Sequence, residues 1–217
     1  APDLEPSHLS VHLSVKPNIP ESERPFWRRN KAVAKRIREE RAIVVSVRRD
    51  EASDRIIHLA MSGAGQVSKP KDFCFEVGQQ FEQLPLISDH FKKVIYDAPN
   101  RRVFMIVQAL GYQARMLLNL EMVSEDWRSE IQFEIVWGQF KGMKGVVGFE
   151  KISENKTEIS IQSSLVAKSL PVPKAILGFA LEVIAQKAAE KIRSYIETEA
   201  VLKSNPALKA GGPHEKK

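Results

Sequence analysis

His8 and His12 stand four residues apart, the spacing at which a helix would aim two imidazoles at one metal ion. Pro2, Pro6, Pro17 and Pro20 surround them, and residues 1 to 23 show no helical period. With no third ligand nearby, no metal centre follows, and the segment reads as an extended arm. Cys74, the single cysteine, cannot form an internal disulfide; it shares an apolar helical face with Phe73 and Val77 and is expected to be a buried, inert thiol. His58 and His90 are isolated, and each fits a surface or hydrogen-bonded side chain better than a base. The stretch WGQFKGMKG from Trp137 to Gly145 has three glycines, but it joins two strand patterns and opens no helix, so it is not a phosphate cradle. It is expected to be a long hairpin turn with Phe140 and Met143 exposed at its tip, suited to a gate or a membrane-touching loop. Tyr112, Arg115, Asn119 and Glu150 are the polar groups on or beside strands that an acid, base or oxyanion donor would require, yet alternation sends Arg115 and Asn119 outward. No Ser/His/Asp set is present, so no catalytic residue, metal or cofactor is assigned.

The net charge sits in one place. The segment RPFWRRNKAVAKRIREER, Arg24 to Arg41, carries eight basic residues against Glu39 and Glu40, which accounts for the whole formal net charge of +6. A basic surface spread over the fold is thereby excluded, and nucleic acid fits poorly as a partner. Pro25 suits a first helical turn. Two roles fit the helix that follows. Phe26, Trp27, Val33 and Ile37 could pack it on its own domain, or Phe26 and Trp27 could enter a membrane interface while Arg28, Arg29 and the cations beyond meet anionic headgroups at about 1 kcal/mol each.

The rest of the chain is ordinary in composition, 43% hydrophobic and 28% charged, which places it among globular proteins. No apolar run approaches the ~20 residues that a spanning helix needs. A start at Ala1 fits a product trimmed after a small-residue cleavage site, so a periplasmic or secreted location is expected if that terminus is mature, and a cytoplasmic one otherwise.

Ala42 to Val47 and Arg55 to Gln66 read as strands. Two abutting helical pieces follow within Lys69 to Val94, the first opened by Pro70 and interrupted near Leu84-Pro85. Six strand patterns come next: Lys92 to Asp97, Arg102 to Leu110, Gln113 to Val123, Ser129 to Trp137, Gly145 to Ile152 and Thr157 to Val166. The turns between them are too short for helical crossovers, so the strands form an antiparallel meander. Alternation puts Ile131, Phe133, Ile135 and Trp137 on one side with Met116, Leu118, Ile159 and Ile161 on theirs, predicting one apolar and one wet face. The cover for the apolar face is PVPKAILGFALEVIAQKAAEKIRSYIETEAVL, one helix that Pro173 can open. Ala175 to Ala185 has only Gly178 and Glu182 outside the apolar set; a helix apolar nearly all round must be enclosed or touch a nonpolar ligand, membrane or partner.

A strand, two short helices, six antiparallel strands and a long C-terminal helix resembles the helix-grip order of the START-like, polyketide cyclase-like superfamily. The resemblance covers about Arg55 to Leu202 and rests on Pro70, the aromatic face of Phe73, Phe75 and Phe81, the Leu84-Pro85 interruption and the apolar last helix. It implies an α+β fold, a curved antiparallel sheet gripping the C-terminal helix. The implied organisation is an N-terminal extension at 1–54 (extended arm, basic helix, added strand), a helix-grip domain at 55–202 and a flexible tail at 203–217. It further implies a cavity between sheet and helix for a lipid, isoprenoid quinone or similar apolar molecule. Met116, Leu118, Phe133, Ile135, Trp137, Ile161, Leu177, Leu181 and Ile184 are its candidate walls. The alternatives are a filled core in a protein-interaction domain, or a cyclase-, aromatase- or hydrolase-like enzyme of the same fold.

Overall fold

The structure, a computed structural model, describes residues 24–51, 56–170 and 179–204. Helices α1 (Phe26–Arg29) and α2 (Lys31–Glu39) come first, separated by Asn30, whose side chain accepts hydrogen bonds from the backbone N–H groups of Ala32 and Val33 and so caps α2. Strands β1 (Val44–Glu51) and β2 (Ile57–Val67) form a hairpin, followed by α3 (Lys71–Gly78), a 3₁₀ turn at Phe81–Gln83 and α4 (Leu84–Ile87). Pro85 opens α4 in its first turn, where a missing N–H costs nothing; the interruption between the helical pieces lies just before it. Then come β3 (Phe91–Asp97), β4 (Arg102–Ala109), β5 (Tyr112–Ser124), β6 (Arg128–Gly138), β7 (Lys144–Ser153), β8 (Lys156–Ala167) and α5 (Phe179–Ser204). The expected arm at 1–23, the helix opening at Pro173 and residues 205–217 of the tail lie outside the described residues.

All eight strands make one curved antiparallel sheet in the order β1-β2-β8-β7-β6-β5-β4-β3. The sheet grips α5 as the helix-grip reading expects. Its core lies under α3 and the second half of α5, where Cys74, Val77, Val103, Ile131, Phe149 and Ile196 are buried together. The two short helices therefore bury apolar surface at one end of the sheet: Phe75 meets Phe149 edge-on with ring centroids 5.5 Å apart, and Phe81 meets Tyr96 at 5.0 Å.

Both sheet edges carry a carboxylate on an outward-facing N–H. Glu182 of α5 accepts from Val47 N at 2.7 Å on β1, and Glu82 accepts from Tyr96 N at 3.4 Å on β3. Each contact occupies a donor that another strand could otherwise have used.

Two expectations about side-chain direction fail. Trp137 is 54% exposed and lies on the convex face, because β5 and β6 shift register at Leu117/Leu118: Leu118 faces Ile135, Leu117 faces Trp137, and Val136 is the extra residue. One inserted residue inverts the phase of alternation. Phe140 and Met143 are half-buried against the core and are not a protruding tip. The turn folds inward through positive φ at Gly138, Phe140 and Gly142. Gly138 is needed there, since a Cβ would stand 1.9 Å from Arg115 O.

The two halves of α5 differ in burial. Ile196 is 1% exposed, whereas Leu181 to Ala185 are all half-buried. Ile196→Ala is expected to cost about 2–5 kcal/mol, and Leu181→Ala less than about 1.5 kcal/mol, in denaturant unfolding; equal losses would mean that both halves are ordinary core.

Candidate functional site

On the concave side, α5 packs against β1 and β2 along one flank and α3 and α4 along the other, and so bridges the middle strands. Beneath it the sheet supplies an apolar floor. Of the sequence-predicted wall residues, Leu118 and Ile135 are buried at 8% and 4% exposure and belong to the packed core. Met116, Phe133, Ile161, Leu181 and Ile184 are half-buried. Leu181 meets a second apolar cluster of Val47, Leu59 and Leu165. Leu177 lies outside the described residues, and Trp137 is removed from this face by the bulge. Met105, which the sequence reading missed, is the register partner of Met116 and is also half-buried.

The convex face is not simply wet. Glu150 on β7 and Glu158 on β8 are register partners, 2% and 7% exposed, on the face expected to be solvated. Like charges opposed across a hairpin repel. Arg28 resolves this from α1: its Nη2 donates to Glu150 Oε2 and Glu158 Oε1, each at 2.7 Å, and Trp27 Nε1 adds a hydrogen bond to Glu158 at 3.1 Å. Burial works to lower the Arg28 pKa, but the Glu150 hydrogen bond and the charges of Glu158 and Glu150 outweigh it, holding the guanidinium above its ordinary value. Arg128 continues the network, donating to Glu130 at 2.6 Å and pairing with Glu150 at 3.6 Å.

This placement corrects the membrane-contact set. Trp27 is 2% exposed, packed with Ile37 and Ala64, and Arg28 is spent in the clamp. Phe26 is half-buried edge-on to Trp27, and only Arg29 of the four is exposed. The first two are therefore packing residues in the docked helix.

Polar groups that an enzyme would use are dispersed. His58, Arg115 and Asn119 are exposed, and His90 contacts the Gln108 carbonyl through Nδ1 at 3.2 Å. Glu150 is held in the clamp. Ser124 and Ser129 share a hydrogen bond of 2.8 Å beside Lys71, a pattern that would interest a hydrolase. Yet Ser129 is fully buried, and Lys71 Nζ is engaged with Ser129 Oγ, Asp72 and the Glu125 carbonyl, so it acts as a cationic strut between α3 and the β5–β6 turn. Cys74 is buried, and that burial raises its thiol to about 11, which makes it a poor nucleophile near neutrality. Among the described residues no cluster of His, Cys, Asp and Glu could hold a metal.

Arg28→Ala leaves two facing carboxylates without their cation. It is expected to destabilise the fold by about 3 kcal/mol, read from denaturant midpoints, whereas Arg29→Ala is expected to lie within about 0.5 kcal/mol of the parent.

No protein-family model matches the chain, and comparison with curated proteins gives no match. Solved structures do match. A STAR-related lipid transfer protein fragment from Xanthomonas axonopodis is 8% identical, covering 70% of this chain and 98% of its own, at a TM-score of 0.53. A Thermus thermophilus protein is 19% identical, covering 67% and 99%, at 0.52. At these identities the likeness is one of fold: with the strand order and the gripped α5, the chain has the helix-grip architecture.

Proposed function

We propose that the chain binds a small hydrophobic molecule, a lipid, an isoprenoid quinone or a similar compound, between the concave sheet face and the first half of α5. The observation that carries this reading is the mismatch between composition and burial. Leu181, Val183 and Ile184 in the first half of α5, and Met105, Met116, Phe133 and Ile161 on the sheet, are apolar, yet none of the seven is fully buried: Leu181 packs beside Val47, Leu59 and Leu165, and Met105, Met116 and Phe133 pack only in part against the core. Apolar area left uncovered at about 25 cal/mol per Å² is a standing driving force for an apolar ligand. The Xanthomonas neighbour carries lipid transfer in its name, which supports the same ligand class for this fold.

Organic-solvent extraction of the purified chain followed by mass spectrometry is expected to release an apolar molecule. Leu181→Arg is expected to abolish binding of an apolar fluorescent probe, because a bound apolar molecule would cut the guanidinium off from water without a partner. Since Leu181 is half-buried, thermal unfolding should change little; loss of folding in parallel with loss of binding would assign Leu181 to ordinary core.

An anionic membrane surface is the partner that the remaining charge favours. Arg29, Lys31 and Arg38 are exposed on α1 and α2, and Lys35 and Arg36 face Glu39 and Glu40 only at 3.8 and 3.7 Å. Cosedimentation with anionic vesicles is expected to exceed that with neutral ones and to fall as salt shortens the screening length below about 8 Å. Equal binding to both lipids, or none to either, would sink this reading.

A further inference from the structure

The convex groove holds more chemistry than is needed to fasten α1. It encloses about 450 Å³ between α1, the β5–β6 turn and the floor of β6, β7 and β8. Arg28 and Trp27 account for the fastening. Beyond them the same space is lined by a second indole at Trp127, which donates to Glu125 at 2.8 Å, by Glu130, which accepts from Arg128, and by the amide of Gln162. Its charged lining consists of Glu125, Glu130, Glu150 and Glu158 against Arg28 and Arg128, an excess of two carboxylates. Ser160 is a separate observation. It is 8% exposed, it lines the groove, and its Oγ hydrogen-bonds to no described residue. The hydroxyl opens onto the groove, where a ligand atom can reach it. Gly148 keeps the floor low beside it, since a Cβ there would stand 2.5 Å from Arg128 Nη2 and 3.1 Å from Ser160 Oγ.

We propose that this groove is a second binding site, for a small organic cation: a primary ammonium or guanidinium group on a short hydrogen-bonding frame. The cation meets Glu130 beside Glu158, the frame lies along Trp127, and a donor or acceptor reaches Ser160 or Gln162. Glu130 already accepts from Arg128 at 2.6 Å and Gln132 at 3.0 Å, so it is fixed in place before a ligand arrives. The groove lies on the opposite sheet face from Met116 and Leu181, and its occupancy is independent of the apolar ligand proposed above.

Such a cation could be a free metabolite or an arginine or lysine side chain of a polypeptide. The test titrates the full chain with agmatine, with a terminally blocked arginine tripeptide and with 1-pentanol as the neutral control, following calorimetric heat. Agmatine is expected to saturate with a dissociation constant below about 1 mM, and pentanol to show no binding in that range. Glu130→Gln, which removes the charge and keeps one oxygen to accept from Arg128, should weaken agmatine binding by about tenfold. Gln162→Leu alters an exposed side chain and supplies the comparison if Glu130→Gln loses its fold; it too should weaken binding. A tripeptide binding as tightly as agmatine supports the site with a polypeptide as source, and agmatine alone supports it with a free metabolite. The proposal is overturned if agmatine binds no better than pentanol, or if the parent and the folded variants bind it equally.

Discussion

Glu150 and Glu158 face each other across the β7–β8 hairpin in the middle of the sheet, both nearly out of reach of solvent, and much of the fold's particular form follows from the need to neutralise them. Two buried carboxylates in register are unfavourable without a cation. Arg28 supplies it, with its Nη2 at 2.7 Å from both, and in doing so fixes α1 against the convex face. Trp27 and Ile37 then bury apolar area against Ala64 of β2. With α1 and α2 seated over this strand, the chain leaves α2 beside the β2 edge, where β1 pairs with it from Val44↔Ala64 to Glu51↔Ile57. The added strand in turn gives α5 a rail, through the Glu182 contact to Val47 N and through Arg193, which donates to the Arg41 carbonyl. A convex-face ion pair thus helps to place the helix on the concave face.

That placement bears on the proposed apolar site. A helix held at its flanks by β1 and β2 on one side and by α3 and α4 on the other does not have to sink onto the middle strands. The second half does sink, because Ile192, Tyr195 and Ile196 meet the core beneath α3. The first half stays half-exposed over methionines and aromatics, side chains that adapt to irregular apolar shapes. Stability and proposed binding are thereby divided along one helix.

The strands were legible because alternation and tight turns leave little freedom: every one of the six from β3 to β8 lies within about two residues of its expected ends. Direction was less legible. The Val136 bulge has no signature in RSEIQFEIVWG, and without it Trp137 would share a face with Ile135; a single extra residue in the β5–β6 pairing is a tertiary outcome. The clamp was half legible. Glu150 and Glu158 flank the turn at Glu154-Asn155, so the hairpin brings them close, but they stand four residues before it and three after, and only the register shift between Lys151 and Ser153 sets them directly opposite, where they must find a cation. Which of 33 lysines and arginines answers could not be read, because the partner lies 122 and 130 residues away in the chain. The apolar floor was legible as a face, but sequence alternation does not separate Leu118 and Ile135, which the core buries, from Met116 and Phe133, which pack against it only in part.

Strand β8 joins the two faces. Ile159, Ile161 and Leu165 look toward α5, while Glu158, Ser160 and Gln162 look toward α1, each set fixed by the pleat of the other. A one-residue slip of β8 would carry carboxylates into the apolar floor and isoleucines under Arg28, and both errors would be costly at once. The register is consequently specified from two sides, by burial on the concave face and by ion pairing on the convex one. The convex network is thus more than decoration: it penalises a one-residue slip of the strand on which both proposed sites are built.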